Sequence, residues 1–255
     1  MHVDASLSWL VAVLLCALRL GALLLMSPLL MAAGLPARIK VLLTLALATC
    51  LVSGLHLQPT QMPTDLPPLL AAAVSELLLG ALLAFGVFAA FAAFSFAGNL
   101  LDIQIGFNIA NLYDPITHSH APLIATLLSF TAVMVFYLSD VHHLLLRGFA
   151  YSLQRLPLGQ FLSLPSPALL VSQFGKVFGF GLLIAAPLLF CLFLVEIGLA
   201  VLSRNLPQMN LFMLSPPIKI AIGLALLAFS MPHMAPLFKR VFDSLFGFWE
   251  AVLHG

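Results

Sequence analysis

Charge is what this sequence has least of. Asp, Glu, Lys and Arg make up only 7% of its 255 residues, where a soluble domain carries about a quarter. Hydrophobic residues reach 62% and the mean hydropathy is +1.14, so water is not the main solvent of this chain. A net charge of +1 with no clustered basic face excludes a nucleic-acid binder that works by charge. Cysteine is scarce as well. Cys16, Cys50 and Cys191 are far apart in apolar segments, which excludes a disulfide framework and offers no metal-ligand spacing. Neither G-x-S-x-G nor HExxH occurs, so no catalytic motif, cofactor site or metal site is assigned. The start lacks a basic n-region, opening with His2 and Asp4 and carrying Arg19 inside its apolar run. It therefore reads as a retained first segment rather than a cleaved signal.

What the chain does contain is a series of long apolar stretches. Residues 5–33 are apolar apart from Arg19 and a break at Ser27-Pro28, and a second apolar helix is expected over 39–53. Prolines 59, 63, 67 and 68 mark 56–68 as a solvent-facing linker, because proline removes backbone donors and opposes helix. Residues 69–98 form the longest uninterrupted apolar run of the first half. Its small residues Gly80/Ala84 and Gly86/Ala90 stand four apart, and Phe85, Phe88, Phe91 and Phe94 recur every three. Small-residue rows let helix backbones approach closely in lipid; such a helix either packs inside its own bundle or contacts another subunit. Further apolar helices are expected over 123–138, 168–203 and 218–231. The 168–203 run carries Gly175-xxx-Gly179, Lys176, Pro187 and Glu196. Lys176 and Glu196, about 30 Å apart on a straight helix, can pair only if Pro187 folds the helix back. Residues 141–156 and 238–255 read as amphipathic surface helices.

One stretch stands apart. Residues 99–122, NLLDIQIGFNIANLYDPITHSHAP, are polar, contain two acids and lack Lys and Arg entirely. Alternation over 102–108 argues against an amphipathic helix, and Gly106 and Asp114-Pro115 are turn formers. The expectation is a shaped loop that leaves one helix near Asp102, with the next beginning near Pro122 and Ser119 nearby as a cap. Asp114, His118 and His120 could in principle hold a metal, but two loop histidines without a fuller ligand set read as solvated. His142 and His143 are expected on different helix faces. Arg38 and Lys40 place the first turn in the cytoplasm. Strict alternation then gives 99–122 the same side without any basic residue, so charge alone does not close the topology.

The block GFNIANLYDPITHSHAP at 106–122 resembles the signature loop of the FliR family of flagellar export-gate proteins and the related injectisome T subunits. The family resemblance extends to L-R-L-G and S-P at 18–28, P-A-R-I-K at 36–40 and N-L-P-Q-M-N-L-F-M-L-S-P-P-I-K at 205–219. It implies an all-α polytopic membrane protein of long, kinked helices and helical hairpins with an inserted polar loop, built for a multi-subunit assembly. A P-like part over about 1–167 and a Q-like hairpin with a tail over about 168–255 are expected. The implied role is non-enzymatic: a core subunit of the type III export gate in the bacterial inner membrane and flagellar basal body, through which unfolded flagellar proteins pass. P and Q subunits, an FlhB-type switch subunit and an FlhA-type export subunit are the implied partners, with lipid and no nucleic acid. Gly106, Phe107, Asn108, Asn111, Asp114 and Pro115 would form the pore plug. Arg204, Gln208 and Lys219 would flank a cytoplasmic contact loop. Gly80, Ala84, Gly86, Ala90, Gly175 and Gly179 would serve helix packing. The alternatives are an injectisome T subunit and a self-sufficient small-molecule or ion-coupled transporter.

Overall fold

A computed structural model describes residues 7–26, 34, 36–59, 65–107, 122–160, 165–205 and 211–254. These are predominantly helical, with no strand among the described residues. In chain order they form α1 (Leu7–Met26), α2 (Ala37–Gly54), α3 (Leu66–Ile105), α4 (Leu123–Leu138) and α5 (Val141–Arg155). There follow α6 (Pro167–Asn205), α7 (Leu211–Ser230), a 3₁₀ turn (Met231–Met234) and α8 (Ala235–His254). Five helical stretches among the described residues are long and apolar enough to cross a membrane, or six if α4 and α5 count as one broken span. This is the expected all-α, polytopic class.

Several boundaries differ from the sequence expectation. Helix α3 has 40 residues, about 60 Å and twice a bilayer's hydrocarbon thickness. Its first turn takes in Pro67 and Pro68, expected in the linker; there a missing N–H costs nothing. Its last turns take in 99–105, expected in the polar loop, so the alternation read at 102–105 lies on a helix. Helix α6 runs through Pro187 without folding back. Helix α7 starts at Leu211 and includes Pro216 and Pro217, which shortens the expected 204–217 loop. The expected break at Ser27-Pro28 falls outside the described residues.

The chain divides into two compact units, Met1–Ala90 with Phe136–Gln173 and Asp243–Gly255, and Phe91–Val135 with Phe174–Phe242. In the first, α1 lies so close to α3 that a Cβ on Gly80 would sit 2.4 Å from the Arg19 carbonyl oxygen. Trp9 Nε1 donates to Ser53 Oγ at 3.4 Å, tying α1 to α2. Trp249 lies between α3 and α5: a Cβ on Gly148 would strike its indole and one on Gly86 would strike the neighbouring Phe248 ring, and its Nε1 donates to the Leu83 carbonyl at 2.9 Å. Phe85 meets Phe248 edge-on at 5.8 Å.

In the second unit α3 and α4 cross at Gly98, where a Cβ would sit 2.2 Å from Ala125 Cα. Phe94 and Phe91 meet Phe238 and Phe242 at 4.7 and 5.8 Å. Three of the four evenly spaced phenylalanines thus pack on the last helix, while Phe88 is exposed. The C-terminal segment, expected as a surface helix, buries its aromatic face and leaves Lys239, Arg240, Asp243 and Glu250 on its exposed side.

Candidate functional site

The root of the polar loop is built by one carboxylate. Asp102, in the last turn of α3, is 1% exposed. Its Oδ1 and Oδ2 accept from the backbone N–H groups of Ile124 and Ala125, each at 3.0 Å. Those N–H groups lie in the first turn of α4 and have no partner within their own helix. A negative charge there also complements the positive end of the helix dipole. Asp102 thus caps α4 from another helix, where the sequence expectation had placed Ser119, which lies outside the described residues. The Gly98–Ala125 crossing and the 3.0 Å Ser95–Ser129 hydroxyl bond hold the same pair of helices one and two turns below.

The chain then leaves α3 through Gly106, whose φ of 97° is strained for any residue with a Cβ. Gly106 and Phe107 both donate their N–H to the Asp102 carbonyl at 3.1 Å. Of the six expected plug residues, these two are described. Asn108, Asn111, Asp114 and Pro115 lie outside the described residues, as do His118 and His120.

A second polar centre lies in the first unit and was not foreseen. Arg19 on α1 is 2% exposed and Glu76 on α3 1%. Arg19 Nε and Nη2 donate to the two Glu76 oxygens at 2.5 and 3.0 Å. Nη1 and Nη2 also donate to the carbonyls of Ser152 and Leu156 at 3.1 and 2.9 Å, at the C-terminal end of α5. Glu76 Oε1 accepts from the Gly159 N–H at 3.0 Å, and Gly159 adopts φ 83°. One ion pair therefore fastens α1, α3, the end of α5 and the turn after it. Its sequence signal was present: two lone opposite charges in apolar helices cost too much to stay unpaired.

Elsewhere, Glu196 accepts from Lys219, joining α6 to α7, so Lys176 and Glu196 do not pair. Of the expected contact-loop residues Lys219 is thus engaged, Arg204 is exposed at the end of α6, and Gln208 lies outside the described residues. Of the packing residues, Gly80, Ala84, Gly86 and Ala90 are closed within the chain, whereas a Cβ on Gly175 or Gly179 would meet nothing within 4 Å. His142 and His143, expected on different faces, lie with ring centroids 4.1 Å apart.

Comparison with known proteins matches residues 10–245 to the family described as bacterial export proteins, family 1. The flagellar biosynthetic protein FliR of Escherichia coli K12 is 29% identical over 245 residues, covering 94% of this chain and 92% of that protein. FliR of Aquifex aeolicus is 27% identical over 246 residues, covering 96% and 95%. The Yop proteins translocation protein T of Yersinia pestis is 32% identical over 177 residues, covering 67% and 68%.

Proposed function

This chain belongs to the bacterial export proteins, family 1, and from that premise we propose that it is a non-enzymatic core subunit of the flagellar type III export gate. In this reading it sits in the bacterial inner membrane at the flagellar basal body. With P and Q subunits it lines the pore for unfolded flagellar proteins, next to FlhB-type and FlhA-type subunits. The division into a P-like part over 1–167 and a Q-like part over 168–255 belongs to the same proposal.

The loop after α3 is the pore plug, and the observation that carries this is the Asp102 clamp. A loop leaving at Gly106 and returning at Pro122 starts and ends on a root fixed by two charge-assisted hydrogen bonds. Apolar Phe107, Ile109 and Leu112 can then exclude water from a closed pore, while the loop moves without melting either flanking helix. The exposed Gly175/Gly179 row supports assembly, since it offers a close-approach surface that this chain does not fill.

Deleting residues 106–111 should leave the gate assembled but conductive to small ions, read by ion flux across membranes carrying the complex. Membranes as tight as wild type would remove the plug from the proposal. The Yop T relative favours a second reading, an injectisome subunit, and restoration of swimming or of effector secretion in the matching null strain separates the two.

A further inference from the structure

The export reading uses none of Asp140, His142 and His143, which meet where α4 gives way to α5. We propose that these three side chains bind a divalent metal ion of the zinc class. Asp140 adopts the left-handed conformation, φ 56° and ψ 19°, which carries strain for a residue with a Cβ. An acid in that position ordinarily turns its carboxylate onto the N–H groups of the following helix, yet Asp140 makes no such bond. Its Oδ1 instead faces His143 Nδ1 at 3.3 Å. Two donors held about 2.1 Å from one tetrahedral ion stand about 3.4 Å apart, so this spacing suits a chelate bite as well as a hydrogen bond.

The adjacent ring extends the argument. The His142 and His143 rings lie at 37° with centroids 4.1 Å apart. His142 Nδ1 is buried with no hydrogen-bond partner among the described residues, and a buried ring nitrogen left so calls for a cation or a donor. One ligand atom from each of the three residues falls within 4.8 Å of the others. Two imidazoles and one carboxylate select zinc, nickel or copper over magnesium and calcium. Asp140 and His143 are exposed, so the ion enters from solvent and water completes its coordination.

The test uses the full chain in detergent, with Co²⁺ as a visible-absorption probe and Zn²⁺ in competition. Saturable binding of one Co²⁺ per chain is expected, displaced by Zn²⁺, and weakened at least about tenfold in Asp140→Asn and in His143→Gln. His118→Gln with His120→Gln should leave it unchanged. Absence of saturable binding, or binding that survives His143→Gln, or that follows His118 and His120 instead, overturns the site and leaves a plain Asp140–His143 contact. A second measurement needs no variant: Zn²⁺ should slow diethylpyrocarbonate modification of His142 and His143 in the wild-type chain. Equal rates with and without Zn²⁺ also overturn the proposal.

Discussion

Helices α3 and α6 are near twins in sequence terms, 40 and 39 residues long, both apolar and both carrying small residues four apart. In the structure they are opposites. The most apolar stretch of α3 is 61% buried within the chain and that of α6 only 33%. The Gly80 and Gly86 positions of α3 are filled by neighbouring helices of the same chain, while Gly175 and Gly179 of α6 face open space. Their charges follow suit. Glu76 and Asp102 on α3 are buried and fully partnered, whereas Lys176 on α6 is exposed and Glu196 is half-buried against Lys219. A small-residue row announces a close approach, but it does not say whose helix approaches. That depends on whether another segment of the same chain reaches the row first.

The contrast can be broken most severely at the buried ion pair. Arg19→Ala or Glu76→Gln leaves the remaining partner buried without its counterpart, a loss of about 3–5 kcal/mol. Both variants should lower the unfolding midpoint of the purified chain sharply. An unchanged midpoint would mean that α3 is not the interior helix described here.

The next effect sharpens the comparison itself. Gly98→Val forces a side chain into the Ala125 backbone and should cost about 1–3 kcal/mol or more, seen in the chain alone. Gly175→Val, made on open surface, should leave the isolated chain's midpoint unchanged and reduce its co-purification with the partner subunits proposed above. Equal behaviour of the two variants in both assays would erase the distinction between a filled and an open row.

The smallest change is at the loop root. Asp102→Asn keeps the shape but loses one strong acceptor, costing about 1–2 kcal/mol as for other helix caps. It should show chiefly as faster amide exchange at Ile124 and Ala125. If those amides stay as protected as before, the carboxylate is not what holds α4 to α3.

Much of the architecture was legible beforehand because long apolar runs admit few alternatives: in a bilayer a spanning backbone must satisfy its own hydrogen bonds. Helices near 37–54, 123–138 and 141–155 came out as expected on that basis. The misreadings share a cause. Residues 99–105 look polar and alternating, but Asp102 is compensated by two backbone donors 22 and 23 positions away, and a local pattern carries no trace of them. Pro67, Pro68, Pro216 and Pro217 read as breakers, yet Pro67 and Pro68 lie in the first turn of α3, where proline is tolerated, and Pro216 and Pro217 are carried inside α7. The aromatic tail looked superficial because its partners, Phe85, Phe91 and Phe94, lie some 150 residues earlier.

Composition and hydropathy thus determined a helical membrane protein, and the motifs at 18–28, 36–40, 106–122 and 205–219 determined its family, since both are written in residues close together. Pairing was decided only by the tertiary structure. Arg19 with Glu76, Asp102 with the start of α4, Lys219 with Glu196, and Gly98 against Ala125 join positions 22 to 57 residues apart, except for the nearer backbone contacts that each helix makes with itself. A buried charge must find a partner, and the fold alone selects which one comes within reach.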